Sequence, residues 1–236
     1  MGSQATYLKN LQYLSGIDKY NRYIYENICP FLGDSILDVG CGMGNITQYF
    51  TDKKRVMGVD STAEFMDIFR RKCPKAEAIL GDINDAHVGR ALKNVFIDTI
   101  VMTNVLEHIE DDRCVLEKLY KILAPGGKVV LVVPAHKWLF GAADAYDLHF
   151  RRYTENEIRQ RLSSVGFSML KSFQYSALGI PWWFINGRIL KQGKHDENEG
   201  SLINMIVPLV RVVDKMTFNR IGLSIVAVAQ KAPAAI

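Results

Sequence analysis

Short apolar runs alternate with amphipathic segments from residue 35 to residue 133. Runs of strand length, rich in Val, Ile and Leu, occupy 36–39, 55–59, 76–80, 97–102 and 128–133. Segments with helical spacing of apolar residues separate them, at 45–51, 62–72, 86–92 and 112–123. Strands that alternate with helices favour a parallel sheet covered on both faces, because right-handed crossovers place the helices there. The pattern predicts a doubly wound α/β fold.

The pattern changes after the fifth predicted strand. A polar and aromatic stretch, 134–153, predicts a long loop, and residues 154–157 have the sequence of a capping box that opens a helix. Apolar runs at 165–175 and 223–231 predict two final strands. Because a hairpin needs only a few connecting residues, 176–221 is predicted to be an insertion. An insertion at the end of a sheet serves binding more often than core formation.

The composition is that of a globular protein with a large core. The chain has 236 residues, of which 48% are hydrophobic, so it can bury a core without disulfides or metal staples. The net charge of +4 is mild and no dense basic run occurs, which does not favour nucleic acid as a partner. The four cysteines are scattered without a CxxC pair. We therefore expect reduced thiols and no metal.

The sequence offers no recognisable targeting or membrane-spanning segment. The N-terminal residues lack a basic region followed by an apolar run. No stretch of 18 or more apolar residues occurs. On these grounds we expect a cytoplasmic protein.

The stretch from Asp38 to Gly44 is the most informative part of the sequence. Gly40, Gly42 and Gly44 follow a predicted strand and precede a predicted helix. This arrangement brings backbone N–H groups close to a ligand. Together with Asp38 and Cys41, these glycines are the first predicted ligand-binding residues.

An acidic residue, Asp60, ends the next predicted strand, with Ser61 beside it. Its carboxylate can accept hydrogen bonds from both hydroxyls of a ribose. A dinucleotide-binding loop would have its third glycine at position 45, where this chain has Asn45. Asp38 would also repel a pyrophosphate, whereas it would attract the ammonium of a methionine group. The spacing therefore favours a cationic adenosyl cofactor over NAD.

Two further segments follow predicted strands and converge on the same edge of the sheet. Asp82 could accept a hydrogen bond from the adenine amine while Ile83 packs on the base, although an acidic surface loop also explains Asp82 taken alone. Asn104, Val105 and His108 follow the fourth predicted strand, at the edge where open α/β sheets bind ligands. His108 could equally be a structural hydrogen bonder.

Together these motifs resemble those of class I S-adenosylmethionine-dependent methyltransferases, in particular the small-molecule branch that includes ubiquinone-biosynthesis enzymes. The resemblance covers residues 36–167 and includes the Leu-Ala-Pro-Gly-Gly turn at 123–127. It implies a Rossmann-like, seven-stranded sheet, mostly parallel with the last strand antiparallel. It also implies S-adenosylmethionine as cofactor and S-adenosylhomocysteine as product. The glycine loop would then hold the methionine end, Asp60 the ribose, and Asp82 with Ile83 the adenine.

These features predict a single methyltransferase domain. Residues 1–34 would form an N-terminal helical cap, 35–175 the cofactor-binding core, 176–221 an insertion or cap, and 222–236 the last strand and tail. We further hypothesise that the insertion and a helix at 7–25 form a lid over the site.

Methyl transfer from a sulfonium requires alignment and, where the acceptor carries a proton, its removal. The best candidate base is His149, since an imidazole titrates near neutral pH, and Asp147 or Asp144 could orient it. His136 is a second candidate. A role in tying the loop to the domain is the alternative for His149. Metal dependence is not favoured, because Asp144 and Asp147 have no evident third ligand nearby.

The predicted acceptor is a small molecule that is aromatic, lipid-like or a natural-product intermediate. The chain lacks the Asn/Asp-Pro-Pro-aromatic segment that nucleic-acid amino methyltransferases of this fold carry after the fourth strand. Within segment 180–213, residues 182–191 are amphipathic, and the apolar run 202–213 is broken by Pro208 and Arg211 and is too short to span a bilayer. The segment could cap a hydrophobic acceptor, lie at a membrane surface, form a homodimer contact, or be buried under the sheet.

Two functions of other classes stay open at the level of sequence. One is a non-catalytic domain that keeps the cofactor pocket for regulation, which would bind S-adenosylhomocysteine without turnover of any acceptor. The other is an NAD-dependent oxidoreductase, which would bind NAD and not the sulfonium cofactor.

Overall fold

A seven-stranded sheet forms the centre of the protein in the computed structural model, which describes residues 17–191 and 199–234. The strands are β1 (Ser35–Val39), β2 (Arg55–Asp60), β3 (Glu77–Leu80), β4 (Thr99–Thr103), β5 (Lys128–Pro134), β6 (Ser168–Tyr175) and β7 (Ser224–Gln230). Their order across the sheet is β3-β2-β1-β4-β5-β7-β6. Neighbours pair in parallel, except that β7 is antiparallel to both β5 and β6. The predicted seven-stranded, mostly parallel sheet is confirmed.

Helices connect the strands and cover the sheet. They are α1 (Asp18–Ile28), α2 (Ala63–Lys72), α3 (Ala86–Ala91), α4 (Asp112–Ile122), α5 (Ala142–Tyr146), α6 (Glu155–Val165), α7 (Gly179–Trp183) and α8 (Glu199–Met216). Short 3-10 helices occupy Cys29–Phe31, Thr47–Tyr49, Leu106–His108 and Lys137–Leu139, and a π-helix spans Phe184–Ile189.

The central strands are buried on both faces, as expected where helices cover both sides of a parallel sheet. Successive side chains of a strand point to opposite faces. Accordingly, Leu37 of β1 packs in a cluster with Leu116 of α4, whereas its neighbour Ile36 packs in a second cluster with Ile24 of α1. The sheet thus separates two hydrophobic layers. Because these layers cover the faces of the sheet, the carboxyl ends of the strands remain available for a ligand-binding site.

Three predicted elements differ from the structure. The predicted helix at 45–51 is a series of turns with a 3-10 helix, because Gly44 has a φ of 78° and the Thr47 hydroxyl bonds to Asp38, which competes with regular helix formation. The predicted loop at 134–153 contains α5. The helix that opens with the capping box of Thr154 and Glu157 runs to Val165, so the following strand begins at Ser168 and not at 165.

The described parts of the insertion, 176–191 and 199–221, are mostly helical, and α8 docks on α1. Tyr23 of α1 donates its hydroxyl to Asp214 of α8, with an O···O distance of 2.7 Å. Asp214 is buried and also accepts the backbone N–H groups of Ser176 and Ala177, which follow β6. No helix within the described residues is long and apolar enough to cross a membrane. Of the helix predicted at 7–25, residues 7–16 lie outside the described residues.

Candidate active site

A cavity of about 510 Å³ opens at the carboxyl ends of β1, β2 and β4. The chain runs outward from β1 in one direction through β2 and in the other through β4, and open α/β sheets bind ligands where the strand order reverses in this way. Most of the residues predicted as site residues line this cavity. They are Asp38, Gly40, Cys41, Gly42, Asp60, Ser61, Asp82, Ile83, Asn104, Val105, His108, Asp147 and His149.

The loop after β1 depends on glycine for its shape. Gly40 has a φ of 69°, and a Cβ at this position would lie 2.4 Å from Cγ2 of Val105. A side chain at residue 40 would therefore meet both backbone strain and a steric clash. Gly42 also has a positive φ, of 53°, but a Cβ there would meet no atom within 4 Å. The space beside Gly42 is open to the cavity, which leaves room for a ligand against the backbone.

Asp60 connects the end of β2 to the glycine loop. Its carboxylate accepts the N–H of Gly42 and the N–H of Thr62, each at 2.9 Å. A carboxylate has about four lone-pair positions, so these two bonds leave acceptor capacity for hydroxyl groups of a ligand. Asp60 thus fixes the loop and can still bind a ribose.

Asp38 is a buried carboxylate at the base of the cavity. It is 3% exposed, and Oδ2 accepts the Thr47 hydroxyl at 2.6 Å. Burial raises the pKa of Asp38 to about 7, with a further contribution from the negative charge of Asp60 and a partial offset from the Thr47 hydrogen bond. A cationic ligand group beside Asp38 would favour its ionised form.

The two segments that follow β3 and β4 complete this end of the cavity. Asp82 accepts the N–H of Asn84 at 2.7 Å, and Ile83 is buried. Asn104 has a φ of 52°, in the left-handed region that few residues other than glycine adopt. Such strain is common at ligand-binding sites.

Two predicted site residues do not line the cavity. Gly44 lies behind the loop, where a Cβ would come within 2.7 Å of the Cys73 sulfur. Its role is close packing against the end of α2. His136 follows β5 with its ring 5.8 Å from that of Trp138. It is not among the residues that line the cavity, and the chain turns sharply there, with a φ of 63° at His136. The structure therefore does not support His136 as a catalytic residue.

The opposite end of the cavity is organised by a buried carboxylate, Asp144 of α5. Asp144 is fully buried and accepts hydrogen bonds from Arg152 Nε at 2.7 Å and from Trp183 Nε1 at 3.2 Å. Gly141 donates its N–H at 2.9 Å, and His149 Nδ1 lies 3.0 Å from Oδ1. Burial raises the pKa of Asp144, but the His149 hydrogen bond and the charge of Arg152 outweigh it and hold the pKa below its ordinary value.

The orienting carboxylate of His149 is thus Asp144, one of the two alternatives that the sequence left open. Because ionised Asp144 can only accept, we assign the Nδ1 proton of His149 to this bond, which leaves Nε2 as an acceptor. Asp147 also lines the cavity. Its charge acts on His108.

Three side chains with metal-binding or proton-binding atoms meet at this end of the cavity. The ligand atoms of Glu107, His108 and His149 all lie within 4.8 Å of one another. Glu107 is 1% exposed, and burial raises its pKa to about 7. Burial and the neighbouring His149 lower the pKa of His108 to about 4. The two imidazole rings meet edge to face, with centroids 4.6 Å apart.

Several cavity residues were missed by sequence reasoning. Glu107 lies next to His108 in the motif after β4, and its position directly before a predicted site residue was the available signal. Tyr20 and Asn21 of α1 and Trp183 of the insertion also line the cavity. They lie in the two segments that the sequence suggested as a lid, although none of the three was named there as a site residue. That these segments act as a lid stays a prediction.

Comparison with known proteins agrees with this geometry. A family model described as a methyltransferase domain matches residues 3–172. The demethylmenaquinone methyltransferase of Oceanobacillus iheyensis is 28% identical over 127 residues, which cover 50% of this chain and 52% of the relative. The trans-aconitate 2-methyltransferase of an Azoarcus species is 31% identical over 129 residues, which cover 52% and 49%. The chain spans about half the length of the curated relatives it matches.

Solved structures show the same fold. An S-adenosylmethionine-dependent methyltransferase from Mesorhizobium loti superposes with a TM-score of 0.60 over 87% of this chain and 96% of the other. The two sequences are only 15% identical, so this similarity concerns the fold alone.

Proposed function

The chain belongs to the methyltransferase-domain family whose model matches residues 3–172, and on that basis we propose that it transfers a methyl group from S-adenosylmethionine to a small-molecule acceptor. The observation that carries this proposal is a single cavity that joins the glycine loop and Asp60 to Glu107, His108 and His149. A donor at one end and an acceptor at the other would be held side by side, which is the main requirement of a displacement at carbon.

The cofactor would occupy the end formed by the loops after β1, β2 and β3. Asp38 would attract its ammonium group, the open space beside Gly42 would admit the methionine chain, and Asp60 would accept the ribose hydroxyls. Asp82 and Ile83 would contact the adenine. We propose that Cys41, Ser61, Asn104 and Val105 complete this set as wall residues, and that His108 lies where the two ends meet, since all of them line the cavity.

The acceptor would occupy the end between α1 and the insertion. We assign to this end the apolar wall residues Ile17, Tyr20 and Ile24, in and next to α1, and Trp183 and Leu223, in and next to the insertion. These side chains suit an acceptor with an aromatic or aliphatic body, since apolar pockets gain affinity from apolar surface removed from water.

In the proposed reaction the bond from the methyl carbon to the cofactor sulfur breaks as the bond from that carbon to the acceptor atom forms. The sulfonium becomes the neutral thioether of S-adenosylhomocysteine. An acceptor that carries a proton must also lose it, and we propose that His149 assists this loss. Asp144 holds the His149 ring by Nδ1, which directs the other nitrogen away from Asp144.

Calorimetry with the purified chain tests the cofactor assignment. We expect S-adenosylhomocysteine to bind and NAD to show no heat of binding. Asp60→Ala should weaken S-adenosylhomocysteine by at least about 10-fold, because two ribose hydrogen bonds and the anchor of the glycine loop are lost. The exposed Asp52→Ala is the matched control. Absence of binding at millimolar ligand would refute the proposal.

Turnover measurements test the role of His149. With an accepted substrate, His149→Ala should lower the rate by about 100-fold or more, the usual contribution of proton transfer, while the affinity for S-adenosylhomocysteine stays unchanged. His87→Ala, an exposed histidine that does not line the cavity, is the control. Unchanged turnover in His149→Ala would remove His149 from the mechanism.

We propose that the insertion also contacts an anionic lipid surface, from which a lipid-like acceptor would enter. Exposed apolar residues recur at helical spacing along one side of α8. They are Leu202, Met205, Leu209, Val212 and Met216. Over the whole insertion, 176–221, the sequence has six Lys and Arg residues against four acidic residues, and one of the acidic residues, Asp214, is buried. An apolar stripe with basic neighbours is typical of helices that lie at membrane surfaces.

Sedimentation with lipid vesicles tests this contact. The chain should bind vesicles that contain phosphatidylserine and bind neutral vesicles less, and Met205→Ser with Leu209→Ser should reduce binding. Leu170→Ser, an equally exposed leucine on β6, is the control. Suppose that the wild-type chain binds neither kind of vesicle and that light scattering shows a dimer, which the double variant abolishes. The exposed apolar residues of α8 are then a subunit contact instead.

A further inference from the structure

A buried carboxylate without a partner stands at the acceptor end of the cavity. Neither oxygen of Glu107 has a hydrogen-bond partner, although the side chain is 1% exposed. Leaving a buried carboxylate unpaired is costly, so such a group calls for a specific explanation. Glu107 lines the cavity, and the potential ligand atoms of His108 and His149 lie within 4.8 Å of its carboxylate.

We propose that Glu107, His108 and His149 bind a divalent transition-metal ion of the zinc type, with an open coordination position that faces the cavity. Two imidazoles and one carboxylate are a donor set that such ions accept, and three protein ligands leave a position free for water or substrate. Ligands of one zinc ion lie at most about 4.2 Å apart, twice the bond length. Small side-chain shifts would therefore bring all three onto one ion.

The surroundings of His149 fit a metal ligand. A ligating histidine commonly donates its second ring N–H to a carboxylate, which fixes the ring and strengthens the ligand. His149 has this arrangement, since its Nδ1 lies 3.0 Å from the buried Asp144. The remaining nitrogen, Nε2, is the one that we assign to the ion.

The charge around the cluster is also complementary to a divalent cation. The carboxylates that act on it electrostatically are Glu107, Asp144 and Asp147, and the facing cation is Arg152. With all three carboxylates ionised, three negative charges face one positive charge. A divalent ion would neutralise the difference and favour the ionised form of Glu107. Without an ion, Arg152 is occupied by Asp144 and the carbonyl of Ala135 and makes no hydrogen bond to Glu107.

This inference deepens the proposed function, and it rests on that function only for the identity of the acceptor. The open position would take a hydroxyl oxygen of the acceptor and hold it near the cofactor. A hydroxyl bound to the ion would lose its proton more readily, and that proton would pass to solvent through the open cavity. His149, with Nε2 on the ion and Nδ1 on Asp144, would act as a ligand and not as the proton acceptor. The acceptor class would then be a hydroxyl-bearing molecule.

Metal titration of the purified full chain tests the site. After removal of metals with a chelator, we expect one Zn²⁺ to bind by calorimetry, and Co²⁺ in its place to give visible absorption bands that report nitrogen and oxygen ligands. Glu107→Gln and His149→Ala should each weaken Zn²⁺ at least about 100-fold. Asp144→Asn, which changes only the partner of a ligand, should weaken it about 10-fold. His87→Ala and His136→Ala are the controls.

The outcomes separate this inference from the proposed function. Absence of Zn²⁺ binding in the wild-type chain, or unchanged affinity in folded Glu107→Gln and His149→Ala, would overturn the metal site. If Glu107→Gln does not fold, as judged by circular dichroism, His149→Ala alone decides, since His149 lies at the cavity surface. S-adenosylhomocysteine titrated into the same samples reports on the methyltransferase proposal independently of metal.

Discussion

The two ends of the cavity are built in different ways. At the end proposed for the cofactor (the cofactor end) the contacts are local: Gly42 bonds to Asp60 across 18 positions and Thr47 to Asp38 across 9, and most of the shape comes from backbone. At the end proposed for the acceptor (the acceptor end), Asp144 of α5 binds side chains from the loop before α6 and from the insertion, up to 39 positions away. Glu107 and His108 reach the same place from the loop after β4.

This difference explains what each end requires of the sequence. A binding loop made of backbone needs glycine at defined positions and a carboxylate at a strand end. Enzymes with different acceptors can use the same loop. The group of side chains around Asp144, which consists of His149, Arg152 and Trp183 and is called the hub below, can change with the acceptor. Every buried charge in the hub must be paired, however. We therefore expect the two ends to respond differently to substitution, in stability as well as in binding.

The largest effect is expected at the hub. Asp144→Ala should lower the free energy of unfolding by about 3–5 kcal/mol, because Arg152 is left buried without its charged partner. Urea denaturation measures this loss. Asp147→Ala, in the same loop but only half-buried, should cost clearly less. Equal losses in the two variants would show that the hub is not centred on Asp144.

A smaller effect is expected from the glycine loop. Gly40→Ala should cost about 2–4 kcal/mol, the sum of a left-handed backbone and a clash with Val105. Gly42→Ala meets only the backbone cost, about 1 kcal/mol. Val105→Ala combined with Gly40→Ala should recover part of the loss, which urea denaturation of the double variant would reveal. If Gly40→Ala and Gly42→Ala were equally stable, close packing would not explain Gly40.

The buried charge at the cofactor end should make stability depend on pH. The pKa of Asp38 is raised to about 7 in the folded chain, above its unfolded value. The folded state therefore holds this proton more tightly, and the free energy of unfolding should fall as pH rises from about 4 to about 7, by an amount of order 1 kcal/mol or more.

Asp38→Asn should reduce this slope, leaving the part that the raised pKa of Glu107 contributes over the same range, and should make the ligand-free chain more stable than wild type at pH 8. It should also weaken S-adenosylmethionine, because the ammonium loses its counter-charge. Urea denaturation across pH 5–8 measures the first effect and calorimetry the second. The exposed Asp52→Asn is the control. A variant that keeps the wild-type slope would show that Asp38 is not its source.

The smallest effect concerns the link between the hub and the insertion. Trp183→Phe removes the 3.2 Å hydrogen bond to Asp144 but keeps a ring near the Arg152 guanidinium, which lies 4.6 Å from the Trp183 centroid. We expect a loss of about 1 kcal/mol in urea denaturation. Trp182→Phe, an exposed neighbour, should stay within about 0.5 kcal/mol of wild type. If Trp182→Phe lost more unfolding free energy than Trp183→Phe, Trp183 would not be the residue that connects the insertion to Asp144.

Local pattern was sufficient for the sheet and for the cofactor end. The period of the apolar runs predicts each strand to within a few residues, and Gly40, Gly42 and Asp60 lie in the cavity as predicted. The main local error, the helix at 45–51, arose because Thr47 bonds to Asp38 instead of joining a helix. Sequence periodicity contains no information about that competition.

The sequence by itself determined the alternating strands and helices and the residues that line the end of the cavity proposed for the cofactor, because strand period, glycine conformation and strand-end carboxylates act over short distances along the chain. The antiparallel last strand followed from the family resemblance. Only the tertiary structure decided that Asp144 orients His149, that His136 lies outside the cavity, and that Glu107 meets two histidines. Those relations depend on how the loops after β4 and β5 pack together. Burial and charge pairing at such a junction are properties of the folded chain, since they arise from residues that are neighbours only in space.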